Sequence, residues 1–242
     1  MERNLLILGA SSDLALALIP QIASEFQTIF AHYHRSGAKL EHLRQTIPCE
    51  MELFQADFTN EQDTIQLMNE VVASGKSVTH ILHCTSERIE NIRFKSIPWD
   101  TYERMLYTQL RSLYYALQKI LPYMAKKKYG KVVSVLTSCT VGTPPAFLNA
   151  YVTAKYAQLG FLKALAAEYA QKNIQINAVS PSMIGTKFLE DIPELVIQKT
   201  AQGHPLGRIA KVEDVVPAIM FLLSEGSGFI TGENLLVSGG GM

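Results

Sequence analysis

Short apolar runs rich in Val, Ile and Leu alternate along the chain with longer stretches in which apolar positions recur at helical spacing. Runs at residues 5–8, 28–32, 52–55, 80–83, 132–136, 174–179 and 235–237 predict strands. Between them, helical periodicity covers residues 14–26, 37–45, 61–73, 99–124, 150–170 and 212–224. The strand runs are mostly continuous rather than alternating, which predicts strands buried on both faces, as in a parallel sheet. Regular alternation of strand and helix predicts right-handed crossovers. The expected fold is therefore α/β: a doubly wound parallel sheet of the Rossmann type, with about seven strands and helices on both faces. No Pro/Gly/Ser linker or internal repeat interrupts the pattern, so residues 1–242 are expected to form a single domain. Two features stand apart. Pro20 falls inside the first helical stretch and should kink or shorten it. The segment 182–210, with Pro193 and Pro205, is long for a connection; it is expected to hold a short helix at 195–200 and to act as a flap over a site.

Composition narrows the classes. The 242 residues carry 22 Lys plus Arg against 22 Asp plus Glu, a net charge of zero. No positive excess exists to attract nucleic acid or an acidic membrane. The three cysteines, Cys49, Cys84 and Cys139, form neither a CxxC site nor a disulfide framework, which suits a reducing cytoplasm. No secretory signal pattern, no membrane-length apolar run and no metal-ligand spacing among the six histidines is visible. A cytoplasmic protein without metal, membrane or nucleic-acid partners is expected.

Candidate chemistry lies in a Tyr-x-x-x-Lys spacing, which occurs three times: Tyr115/Lys119, Tyr123/Lys127 and Tyr151/Lys155. Each puts a phenol and an ammonium one turn apart on a helix face. Only Tyr151 has a serine thirteen residues earlier, Ser138, at the end of the apolar run "KVVSVLTS". Strand carboxyl ends are where a doubly wound sheet places its ligands. A free phenol titrates near ~10, too high for proton transfer at neutral pH, and a neighbouring ammonium lowers that value. A hydroxyl from Ser138 can hold a substrate oxygen beside the phenol. This trio moves a proton but supplies no hydride, which requires a nicotinamide cofactor.

The loop "LGASSDLA", the turn "FQADF", Ser138 with "YVTAK", and then "INAVSPSMIGT", "PLGRIAKVEDVV" and "ITGENLLVSGG" occur in the order and spacing of one family. Across nearly its whole length the chain resembles the short-chain dehydrogenase/reductases, and within them the 3-oxoacyl-(acyl-carrier-protein) reductases. The resemblance implies catalytic roles for Ser138, Tyr151 and Lys155, with Gln109 at the position of an asparagine that helps hold a water relay to the lysine. It also implies cofactor contacts at Gly9, Ser11, Ser12 and Leu14 in the first loop, Asp57 and Phe58 near the adenine, Cys84 and Ser86 after the fourth strand, Tyr151 and Lys155 at the ribose, and Ile184 and Thr186 at the nicotinamide.

The sequence departs from the family pattern in places. Where the family loop has further glycines, Asp13 and Ala15 stand. Asp13 is expected to cap the first helix with its side chain turned from the phosphates. The family's "NNAG" is "HCTS" here, from His83 to Ser86, with His83 and Cys84 read as packing residues, and Ser182 replaces a usual glycine. No acid follows the second strand in "FAHYHRSGAKL", and Arg35 can pair with a 2′-phosphate, which points to NADP(H). The apolar Phe147, Leu148, Met183, Phe188 and Leu189 suit a partly apolar ketone, small or carrier-bound. Apolar faces of the long helices and the family habit imply a homotetramer or homodimer. The expected function is NADPH-dependent reduction of a ketone to a secondary alcohol, as in fatty acid biosynthesis. A ketoreductase for a modified sugar, pterin or polyketide-like substrate, or a non-catalytic NADP-binding sensor, are the alternatives.

Overall fold

The computed structural model describes residues 2–241. Seven parallel strands form one sheet in the order β3-β2-β1-β4-β5-β6-β7. They are β1 (Asn4–Leu8), β2 (Thr28–Tyr33), β3 (Glu50–Gln55), β4 (His80–His83), β5 (Gly130–Val135), β6 (Ile174–Pro181) and β7 (Asn234–Val237). The helices are α1 (Asp13–Ile22), α2 (Ala38–Thr46), α3 (Glu61–Ala73), α4 (Trp99–Leu106), α5 (Ser112–Lys127), α6 (Asn149–Tyr169), α7 (Glu194–Gly203) and α8 (Val212–Leu223). Successive strands first move outward from β1 to β3. The chain then returns to the other side of β1 with β4, so the order reverses between β1 and β4, where such sheets open a crevice.

The alternation of side chains along a strand explains the two layers. Leu6 and Leu8 of β1 pack into a cluster with Leu67 and Val71 of α3, Leu117 of α5 and Leu162 of α6. Leu5 and Ile7 point the other way, toward Leu18 of α1, Leu40 of α2 and Ile219 of α8. All four β1 leucine and isoleucine side chains have no solvent exposure, as the continuous apolar run predicts.

Three elements depart from the sequence pattern. The helix expected over 99–124 is two helices joined by a π turn at Tyr107–Arg111. The turn persists because its freed carbonyls find side-chain donors. The Thr108 carbonyl accepts from Ser112 Oγ (2.6 Å) and Thr85 Oγ1 (3.0 Å), and the Gln109 carbonyl from Gln158 Nε2 (3.0 Å). Two of these contacts, from Thr85 and Gln158, reach across the sequence and leave no trace in periodicity. The first helix stops at Ile22, two residues after Pro20, and runs into a 3₁₀ turn at Ala23–Glu25. The segment after β6 carries a 3₁₀ turn at Lys187–Leu189 and then α7, which is longer than the helix expected at 195–200. Among the described residues, no helix is long and apolar enough to cross a membrane, and no cluster of His, Cys, Asp and Glu could hold a metal ion.

Candidate active site

The crevice at the β1/β4 reversal has a volume of about 210 Å³ and opens to solvent. Its floor is the turn after β1. Gly9 takes φ +88°, a conformation that side chains rarely adopt. A Cβ there would sit 3.0 Å from Thr85 Cγ2 and 3.1 Å from the Cys84 carbonyl, so only glycine fits so close to β4. The Gly9 N–H donates to His32 Nδ1 (3.1 Å). That leaves Nε2 to carry the proton and to donate to the Ala56 carbonyl (3.1 Å). His32 stacks on Phe58 at 3.9 Å. Burial pulls its pKa down to about 4, so it is a neutral strut between the turn and the end of β3.

Ser12, not Asp13, caps α1: its Oγ accepts from the Ala15 N–H (3.3 Å). Asp13 is instead the first residue of the helix, and its Oδ2 accepts from the Lys187 N–H across the crevice end at 2.8 Å. The start of α1 nonetheless offers backbone N–H groups and a positive helix end to an anion. Ser11 and Ser12 line the crevice with Gly9, whereas Leu14 turns into the core, 6% exposed.

At the other end of the crevice stand His34, Asp57 and Phe58. Burial pushes the Asp57 carboxyl up, but hydrogen bonds from the Thr59 N–H and hydroxyl, with His34 and Arg35 nearby, outweigh it, and the net pKa is lowered. His34 Nε2 lies 3.5 Å from Asp57 Oδ2. Arg35, expected to face a 2′-phosphate, is exposed and outside the crevice lining; His34, which the sequence reading passed over, lines it. Cys84 and Ser86 also line it. Burial pushes the Cys84 thiol up to about 11, against the hydrogen bond from Ser12 and the charge of Lys155, so the thiol is inert.

Tyr151 and Lys155 project from the first turns of α6, and both are buried. The two Tyr-x-x-x-Lys pairs on α5 sit elsewhere: Tyr115 bonds Glu61, Lys119 bonds Asn69, and Tyr123 is exposed. Context therefore separates the three pairs as the order of strand and helix suggested. The finer geometry differs from expectation. The Lys155 ammonium lies 5.9 Å from the centroid of the Tyr151 ring and donates to the Val135 carbonyl at 2.9 Å. Burial lowers its pKa to about 7, with Cys84 acting weakly the other way. The phenol is not acidified in this arrangement: burial raises its pKa, a hydrogen bond with Thr137 lowers it, and Cys139 raises it, with burial dominant.

Thr137, buried after β5, caps the next 3₁₀ turn: its Oγ1 accepts from the Cys139 N–H at 3.3 Å. Ser138 opens that turn and gives its carbonyl to the Val141 N–H. Ser138→Ala is expected to lower turnover by about 10²-fold, as steady-state kinetics on one ketone will show.

Gln109 is fully buried in the π turn. Its Nε2 donates to Met105 Sδ (3.3 Å), and its Oε1 has no partner. Behind it, His83 is held at Nδ1 by Gln158 Nε2 (3.2 Å) and at Nε2 by Thr85 Oγ1 (2.9 Å) and Ser112 Oγ (3.0 Å). The packing role read for His83 is better described as a polar hub. Ile184 pairs with Ala210 and Thr186 precedes the 187–189 turn; neither lines the crevice in this arrangement.

The chain is similar to known proteins over nearly its whole length. The family described as Enoyl-(Acyl carrier protein) reductase matches residues 9–241. The oxidoreductase YmfI of Bacillus subtilis is 29% identical, over 99% of this chain and 99% of its own. The 3-oxoacyl-(acyl-carrier-protein) reductase FabG of Thermotoga maritima is 28% identical, over 97% of this chain and 96% of its own. A 3-oxoacyl (acyl-carrier-protein) reductase of Agrobacterium tumefaciens, solved with NADP bound, superposes with a TM-score of 0.88 at 24% identity, covering 99% of this chain and 93% of that one. With a doubly wound sheet, a glycine-floored crevice and a buried Tyr151/Lys155 pair beside it, the chain belongs to the short-chain dehydrogenase/reductase family of oxidoreductases.

Proposed function

We propose that the protein is an NADPH-dependent ketoreductase acting on a 3-oxoacyl thioester or a similar partly apolar ketone. The observation that carries this reading is the placement of buried Tyr151, with Lys155 against its ring, beside a crevice floored by Gly9. The crevice fits a dinucleotide: it has no room for a Cβ at Gly9, runs along the start of α1, and ends at Asp57 and His34. Gly9, Ser11 and Ser12 would hold the phosphates, Asp57 and Phe58 the adenine, and His34 with Arg35 a 2′-phosphate. When bound, the nicotinamide supplies the hydride. Tyr151 holds the proton for the substrate oxygen, Ser138 orients that oxygen beside the phenol, and Lys155 places positive charge beside the ring. The phenol and ammonium lie in a site screened from water, which strengthens each of these contacts.

The substrate class is supported by the FabG relatives and by the apolar flap. Phe188 lies 6.3 Å from the Tyr151 ring, and Phe147 and Leu148 stand at the start of α6. A homodimer or homotetramer is proposed on the exposed Tyr114 of α5 and Phe221 of α8, which leave apolar surface uncovered. The deciding experiment is fluorescence titration with NADPH and NADH, followed by oxidation of the preferred cofactor with acetoacetyl thioesters and simple ketones. Tighter binding of NADPH and turnover of the thioester support the reading. His34→Ala should narrow the preference for NADPH by about tenfold, the worth of one charge-assisted contact. An equal loss for both nucleotides would remove His34 from that role.

A further inference from the structure

The crevice ends at Thr85, Ser86, Glu87 and Thr108, and Tyr151 and Lys155 lie beyond its lining, 8% and 2% exposed. The segment between β6 and α7 covers this side. Three contacts fasten it. Phe188 packs on the Tyr151 ring. Arg88 Nη1 donates to Asp191 Oδ2 at 2.9 Å, an exposed ion pair. The Lys187 N–H donates to Asp13 Oδ2 at 2.8 Å.

The third contact differs in kind, because its acceptor is a carboxylate on the first residue of α1, beside the N–H groups best suited to an anion. A residue without a side chain at position 13 could not make it. The geometry points to Asp13 as a latch: its carboxylate holds the 187–189 turn against the start of α1, and a dinucleotide's phosphates must displace it before the crevice opens through to Tyr151. The inference rests on the cofactor reading above. Its physical basis is competition between two anions for one electropositive place. The carboxylate is supplied by the chain, and a diphosphate brought beside it meets a like charge. Displacement costs the latch contact, so Asp13 reduces apparent cofactor affinity in proportion to the fraction of molecules that are unlatched.

Two readouts separate the latch from the cofactor reading. The first is amide hydrogen exchange across residues 183–192 in the cofactor-free protein, for wild type, Asp13→Gly and Asp13→Asn. The second is the Kd for NADPH of each by fluorescence. Asp13→Gly is expected to exchange about tenfold faster at the Lys187 amide and to bind NADPH about tenfold more tightly. Asp13→Asn keeps an acceptor oxygen without the charge, so it should exchange nearly as wild type and bind NADPH with intermediate affinity. Unchanged exchange in Asp13→Gly, or weaker NADPH binding by Asp13→Asn, overturns the latch. Faster exchange with no NADPH binding by any of the three proteins overturns the cofactor reading and, with it, the competition, while leaving the flap contact established.

Discussion

Tyr151→Phe is expected to bind NADPH as the wild type does and to lose turnover by about 10³-fold or more. The phenol is the group placed to give a proton to the reduced carbonyl oxygen, and general acid catalysis contributes roughly 10²–10⁴. The substitution removes one oxygen and leaves the ring, which packs against Phe188 and under the Lys155 ammonium, so the fold should be unaffected. Burial holds the phenol protonated in the structure, the correct state for an acid in the direction of reduction. Burial also brings Lys155 to about 7, so small changes in local charge decide whether that amine carries its proton at neutral pH. Near-normal NADPH oxidation by Tyr151→Phe would move the proton donor elsewhere. Loss of binding together with turnover would show that the phenol holds the fold rather than the reaction.

Acid is expected to unfold the protein well above the pH at which carboxylates protonate. His32 and His80 are buried and neutral, with pKa values lowered to about 4 and about 3, burial being the main cause in each. His83 is lowered in the same direction by burial and by the charge of Lys155. The unfolded chain takes up these protons below ~6.5, whereas the fold takes them up only near 4 or lower. Stability from these groups is therefore full above ~6.5 and falls as the pH drops toward 4. At pH 5 each of His32 and His80 should cost roughly 2 kcal/mol relative to pH 7, with His83 adding in the same sense. Urea denaturation midpoints at pH 7, 6 and 5 measure this. His80→Gln should flatten the dependence, and a wild-type midpoint that is constant over this range would contradict the neutral assignments. His80 is the clearest probe, because it lies away from the crevice, with Arg3 Nη2 at 3.2 Å and the edge of Phe26 at 4.9 Å.

The sheet was legible because its information is local. The central strands β1, β4, β5 and β6 are buried on both faces, and β1, β2 and β4 appear within a residue of their expected ends. The crevice was legible for a similar reason, since Gly9 follows a strand and precedes a helix. The π turn was not, because its carbonyls are held in part by Thr85 and Gln158, which reach them from elsewhere in the sequence. Nor was the role of Asp13. Its type fits a helix cap, but Ser12 already fills that place and the Lys187 amide arrives from the far side of the domain.

The amino-acid order by itself determined the α/β alternation and the position of the crevice, because those follow from periodicity and turn chemistry along one chain. Only the tertiary structure decided that His34 rather than Arg35 lines the crevice, and that Asp13 ties the flap to the start of α1 rather than making a cap contact. Each of these depends on the direction in which one side chain leaves a strand or helix end. That direction is set by packing against residues distant in sequence, and a single position along the chain reverses it.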